Sequence, residues 1–435
     1  MDRPKNLLKR LGLERPEVRA WTTYDWANSA FATTIITAVF PVYFTSVAGA
    51  DLPTGEATRL LARTTSIALA ISAIFAPVLG ALADYAPVKK KLLAVFLAIG
   101  CVTSGCLSLV YRGDWLFAAV LFGIGNVGFT ASLAFYDSLL PHIAREDEID
   151  RVSTTGYAIG YLGGGVLLAL NVAWILSPGT FGIRDAAQAS RLSFLSVAIW
   201  WLAFSIPLFK GVPEPRTGLN AAGRSAAQLI KASFSSLKQT MSELRRYRNA
   251  LLLLIAFVSY NDGINTIIRL ATSYGTDIGL DQGALITAIL LVQFAGIPFS
   301  LLFGAMAGRI GAKTSIFIAL GMYVLITVMG YYMETERDFY VLALMVATVQ
   351  GGSQALSRSL YASMIPKARS SEFFGFFSVF EKFGAILGPV AFEIASRSTG
   401  SSRSAILSVM VFFVAGALIL SFVNVPEGRK AVQIQ

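Results

Sequence analysis

GALADYAPVKK (residues 80–90) and GAMAGRIGAKT (residues 304–314) are one pattern written twice, once in each half of the chain. Each copy ends a long apolar run and opens onto basic residues, Lys89 and Lys90 in the first and Lys313 in the second. Two further pairs hold nearly the same offset. YDSLLP from Tyr136 matches YASMIP from Tyr361, and GYLGGG from Gly160 matches GAILGP from Gly384. One short match arises easily by chance; three at corresponding places mark an internal repeat. The chain reads as two related halves.

Composition sets the environment of those halves. Of 435 residues 55% are hydrophobic and only 14% charged, with a mean hydropathy of +0.62. A soluble chain carries about 25% charged residues. Length alone suggests two or three soluble domains, but repeated apolar runs of about 20 residues override that. The expected fold is all-α: a polytopic membrane protein of twelve transmembrane helices in two pseudo-symmetric six-helix bundles. Expected spans are 21–48, 59–85, 91–111, 115–140, 153–176 and 190–209, then 249–274, 281–308, 313–333, 338–365, 371–396 and 402–424. The domains follow: a cytoplasmic segment 1–20, a first bundle 21–209, a basic cytoplasmic loop 210–248, a second bundle 249–424 and a cytoplasmic tail 425–435.

The net charge of +10 sits between the apolar runs, which argues for loop charge rather than nucleic-acid binding. Loop 210–248 holds eight basic residues, and the N-terminal segment holds Arg3, Lys5, Lys9, Arg10, Arg15 and Arg19. Loop 49–58 has none. The positive-inside rule then expects both termini in the cytoplasm. Loop 145–151, REDEIDR, departs from it and suggests polar contacts at a gate. The stretch from Met1 to Arg19 lacks an apolar core, so no cleavable signal peptide is expected; a surface amphipathic helix and a plain basic anchor both fit. Cys101 and Cys106 read as packing residues, and a single histidine, His142, speaks against a metal site. No P-loop, catalytic triad or zinc spacing occurs, so neither an enzyme nor a cofactor is expected.

GALADYAPVKK resembles the G-x-L-x-D-x-x-G-R-K-x signature of the major facilitator superfamily, through Gly80, Leu82, Asp84, Lys89 and Lys90. Pro87 stands for the second glycine, and the second copy has Gly308 where the first has Asp84, which weakens the gate expected in the second half. RPEVRAWTTYDWANSAFATTIITAVFPVYF, with FYDSLLP and the acidic loop, is similar to the autophagy-related vacuolar amino-acid effluxer group and its bacterial relatives. That resemblance covers essentially the whole chain. It implies a twelve-helix secondary transporter, and the release of amino acids by the group's vacuolar members.

Polar residues inside the spans are the site candidates, because charge at membrane depth is rare and functional by default. Asp25, Asn28 and Ser29 share a face of the first span, with Thr33 and Thr37 deeper. Asp25 serves a gate, a substrate or a proton. In the seventh span Asp262, Asn265 and Arg269 share a face, with Gly263 a place to loosen the helix; they grip the ends of a zwitterion or form a structural salt bridge. Gln350, Gln354 and Arg358 make a stripe spaced by four on the tenth span, for substrate or for interhelical hydrogen bonds. Asn126, Thr130 and Asp137 share a face of the fourth span, and Glu381 lies in the eleventh. Substrate contact is expected from Asn28, Thr33, Asn126, Asp262, Asn265, Arg269, Gln350 and Gln354. Gate or proton-coupling roles are expected from Asp25, Asp84, Asp137, Arg358 and Glu381, with Arg358 to Glu381 or Asp25 as a cytoplasmic latch.

The expected function is secondary transport of a small polar solute, an amino acid above all, by rocking of two halves, with proton coupling through the buried carboxylates. The protein is expected to work as a monomer. A drug or lipophilic-solute exporter would want a more aromatic cavity, and a receptor or scaffold would not need paired halves.

Overall fold

The computed structural model describes residues 8–53, 55–85, 87–215, 247–277, 282–384, 387–399 and 405–433. Most of the basic loop 210–248 lies outside the described residues. The first half comprises α1 (Pro16–Ala48), α2 (Glu56–Tyr85), α3 (Lys89–Cys106), α4 (Trp115–Ile143), α5 (Ile149–Leu176) and α6 (Ala186–Gly211). The second comprises α7 (Arg248–Asp277), α8 (Gln282–Ile310), α9 (Ala312–Tyr331), α10 (Glu336–Ala362), α11 (Ser370–Gly384), α12 (Leu387–Thr399), α13 (Met410–Ser421) and α14 (Val425–Gln433).

Helices are what a bilayer permits, since every backbone N–H and C=O must be satisfied within the segment. Among the described residues ten helices are long and apolar enough to cross a membrane. There are eleven if the pair ending in α13 and α14, bent by 58°, is one span. Twelve were expected. The eleventh apolar run instead falls on two short helices, α11 and α12, with residues 385 and 386 outside the described set.

Burial is inverted relative to a soluble protein: Ile74 is 67% exposed and Phe422 73%, as lipid-facing residues are. The interior holds the large aromatics. Between α1, α4 and α6, Phe31 stacks on Phe129 at 5.0 Å and meets Trp201 at 5.3 Å, while Trp21 stacks on Tyr136 at 4.3 Å. Such rings add packing energy beyond their area.

The repeat is physical as well as textual. Lys90 Nζ donates to the carbonyls of Phe209 and Val212 at the end of α6, at 2.8 and 2.6 Å. Lys313 Nζ donates in the same way to Ser421 and Val423 at the end of α13, at 2.9 and 2.8 Å. Each half thus uses a lysine at the end of its motif, shifted by one position between the copies, to satisfy the last carbonyls of its closing helix, where cations are favoured.

The halves meet along α2 against α11 and α5 against α8. Gly80 sets the first approach, since a Cβ there would lie 2.3 Å from the Ser371 carbonyl oxygen. Both ends of the described chain lie on one face of the molecule. There Arg15 reaches Glu148 and the Ile143 carbonyl, and Gln433 reaches Glu146 at 3.3 Å. The acidic loop 145–151 therefore receives contacts from both ends. The described part of the N-terminal segment packs on α5, with Thr155 donating to the Leu11 carbonyl at 2.8 Å and Leu13 buried.

Candidate functional site: a closed face and a central cavity

Arg358, near the end of α10, crosses from the second half into the first. Its NH1 donates to Asp137 of α4 at 3.0 Å and its NH2 to Asp25 of α1 at 3.5 Å. Nε donates to the Ser153 hydroxyl at 2.9 Å, and NH2 also to the Ser153 carbonyl at 3.0 Å. Trp21, Tyr136 and Tyr157 surround the guanidinium, with ring centroids 5.0, 5.7 and 4.7 Å away. The Tyr136 hydroxyl donates to Asp25 at 2.7 Å, and the Trp21 indole to the Tyr136 carbonyl at 3.0 Å. Planarity suits Arg to this task, since one fork can serve two carboxylates while its face packs on rings. A buried charge cluster of this kind holds only while every member is present.

A second cluster closes the same face between α2 and α11. Asp84 pairs with Lys89 at 2.9 Å and accepts from the backbone N–H groups of Ser371 and Glu372 at 3.1 and 2.7 Å. These N–H groups open α11, so a carboxylate meets the positive end of a helix. Lys89 Nζ also donates to the Ser370 hydroxyl at 2.8 Å and lies 3.3 Å from His142 Nε2. Glu214 fixes the start of α3 by accepting from the N–H groups of Lys89 and Lys90, at 2.7 and 3.1 Å. Gly308, the counterpart of Asp84 in the second half, brings no carboxylate, and a Cβ there would find open space. The asymmetry expected from the motif is present.

Away from this sealed face lies a cavity of about 470 Å³ between the halves. It follows α10 from Arg358 to Phe339, about 28 Å at 1.5 Å per residue, toward the face opposite the chain ends. Its polar lining includes Asn28, Thr33 and Thr37 of α1, Thr130 of α4, Asn261 of α7, Gln293 of α8, and Gln350 and Gln354 of α10. Asp25, Asp137, Glu381 and Arg358 are its acidic and basic lining among the described residues. The α1 portion is unusual. Phe31–Ala38 is π-helical, and the Val39 N–H that closes it donates to the carbonyl five residues back, that of Thr34; the Thr37 hydroxyl also donates to the Ala32 carbonyl, at 2.8 Å. Single π turns concentrate at functional sites.

The sequence profile of the vacuole effluxer Atg22-like family matches residues 57–433. YxiO, an uncharacterised MFS-type transporter of Bacillus subtilis (strain 168), is 36% identical over 406 residues, 93% of this chain and 94% of its own. Autophagy-related protein 22 of Cryptococcus neoformans var. neoformans serotype D (strain B-3501A) is 24% identical over 532 residues, covering 95% and 96%. The chain belongs to the Atg22-like family of MFS transporters. Solved structures carry the same fold. The proton:xylose symporter XylE matches with a TM-score of 0.70 at 15% identity, over 94% of this chain and 95% of its own. FucP in the outward conformation matches with a TM-score of 0.68 at 13%, over 94% and 98%.

Within the Atg22-like chain the sequence candidates separate. Asn28, Thr33, Gln350 and Gln354 line the cavity, as do Asp25, Asp137, Arg358 and Glu381. Asp84 lies in the α2–α11 seam instead. Asn126, Asp262 and Asn265 lie off the cavity lining, and the side chain of Arg269 lies outside the described residues. Asp262 faces α12, where it accepts from the Gly388 N–H at 2.7 Å. The neighbouring Asn261 turns to the cavity in its place. Of the two latch partners expected for Arg358, Asp25 is in reach at 3.5 Å; Asp137, the closer at 3.0 Å, was not paired with it. Ser153, Tyr136 and Tyr157 were not singled out. Only Tyr136 carried a signal, as the first residue of a repeated motif.

Proposed function

We infer that this MFS transporter carries an amino acid across the cytoplasmic membrane of a bacterium by alternating access, as a monomer with both termini in the cytoplasm. The observation that carries the reading is the central cavity, which brings amides and carboxylates from both halves to one space and is sealed at one face by Arg358. A zwitterion suits such a lining better than a lipophilic solute, since it offers each polar group a partner. The family resemblance points the same way, through a group named for vacuolar efflux. The positive-inside rule supports a cytoplasmic location for the sealed face, making this the state loaded from outside. Asp25, Asp137 and Glu381 supply candidates for proton coupling, because carboxylates at membrane depth serve proton relays.

Uptake into proteoliposomes tests this. Radiolabelled amino acids should accumulate, and an imposed pH gradient should change the rate. Indifference to the gradient removes proton coupling. Stabilisation of the purified protein by lipophilic cations, with no response to amino acids, would favour an exporter of lipophilic solutes instead.

A further inference from the structure

Two buried amides with nothing to donate to line the same cavity from opposite halves. Asn28 of α1 is 4% exposed and Asn261 of α7 is 1% exposed, and the Nδ2 of each has no hydrogen-bond partner. Buried polar groups are normally paired, so each such donor asks for an explanation. Asn261 is oriented by its other end: its Oδ1 accepts from Gln354 Nε2 at 3.4 Å, which leaves the NH2 as the unused side. An amide NH2 only donates, so its missing partner is an acceptor.

The charges of the cavity narrow that partner further. Arg358, the one cation lining it among the described residues, already uses four of its five N–H groups on Asp25, Asp137 and Ser153. The remaining Asp and Glu lining is Asp25, Asp137 and Glu381. A solute with net negative charge would meet repulsion there, whereas one carrying its own ammonium group would be attracted. A carboxylate beside an ammonium meets both conditions.

We propose that Asn28 and Asn261 are the carboxylate anchors for a zwitterionic, side-chain-neutral amino acid whose ammonium group lies toward the acidic lining. The proposal rests on the amino-acid reading above and adds the anchoring atoms. Neutral donors bind a carboxylate through weaker hydrogen bonds than a guanidinium does, which suits a solute that must also leave. The anchors sit on the first helix of each half, so a bound carboxylate spans the two. Binding then favours whichever arrangement brings both donors within reach, and the solute shifts the equilibrium by that difference in affinity.

The test uses the full-length protein in proteoliposomes, with radiolabelled neutral and acidic amino acids as probes. Asn28→Asp and Asn261→Asp keep the side-chain shape and replace the donor by an acceptor. Wild-type protein should take up neutral amino acids in preference to acidic ones. Each variant should raise KM about tenfold or more. The amine formed by removing the carboxylate from the transported amino acid should compete weakly with wild type, and no worse with the variants. Unchanged KM in both variants, with uptake intact, overturns the anchors and leaves the amino-acid reading standing. Absence of amino-acid uptake in wild type overturns that reading and the anchors with it. Should the variants not reconstitute, wild type decides alone: an amine competing as well as its parent amino acid overturns the assignment.

Discussion

Arg358 and Asp137, far apart in the chain, form a 3.0 Å ion pair between the two halves of the molecule. Any movement that opens the sealed face must pull this pair apart, together with the contacts to Asp25 and Ser153. The guanidinium is the one group that touches Asp25, Asp137 and Ser153 together, so its loss should loosen that face.

Arg358→Ala leaves two buried carboxylates facing each other and should destabilise the sealed state by about 3–5 kcal/mol. The check is thiol labelling at Ser29→Cys after Cys101 and Cys106 are replaced by serine. Reactivity toward a membrane-impermeant reagent applied at the face bearing the chain ends should rise. Arg358→Lys keeps the charge but loses the fork and the ring contacts, so it should fall between the two. Equal labelling in all three proteins would remove Arg358 from the closure.

Gly80→Ala and Gly308→Ala occupy equivalent regions of the repeat, yet their effects should differ. At Gly80 the new methyl group meets backbone of α11, which cannot move aside without separating α11 from α2. Transport should drop sharply. At Gly308 the methyl group meets open space, and stability should hold or rise by up to about 1 kcal/mol through helix propensity. Thermal melts and uptake rates of the two variants decide the matter.

Asp262→Asn keeps an acceptor for the Gly388 N–H but loses the charge that strengthens that bond. The expected result is a lower melting temperature with KM for the transported solute unchanged. A KM shift without a change in melting would instead make Asp262 a solute contact.

Lys90→Ala and Lys313→Ala should each cost about 0.3–1 kcal/mol, as charges at helix C-termini do. Similar losses in the two are expected from their matching carbonyl contacts. Differential scanning calorimetry on the purified protein measures both.

Fold and halves were legible because they depend on long-range patterns: apolar run length, loop charge and a repeated motif. The site was legible where a residue type is rare at membrane depth. Arg358 and Asp25 stand out in any apolar helix, and both belong to the closure. Asp262 stood out for the same reason yet lies off the cavity. It differs from Asn261 by a single position, about 100° around α7 at 3.6 residues per turn, and that rotation is set by tertiary packing. Phe413 packs where a Cβ on Gly263 would go, and Thr266 and Asp262 pack where one on Gly388 would go. Neither Phe413 nor Gly388 is close to α7 in sequence. Ser153 and Tyr157 carry no signal in the sequence, because hydroxyls and phenols are common in such helices and usually satisfy themselves. The eleventh span reads as a single run in the sequence, whereas two short helices, α11 and α12, occupy it among the described residues; the 58° bend after α13 falls at the expected end of the twelfth.

Phe31–Ala38 departs from the α-helical period between the two ends of α1. Val39 N–H still reaches five residues back, to the Thr34 carbonyl, so Asn28 below and Phe40 above are out of phase with an unbroken α-helix. Reverting those bonds to i−4 would twist one end of α1 about its own axis while Asp25 stayed gripped by Arg358. Such torsion within a single helix would turn Thr33 and Thr37 relative to the cavity they line.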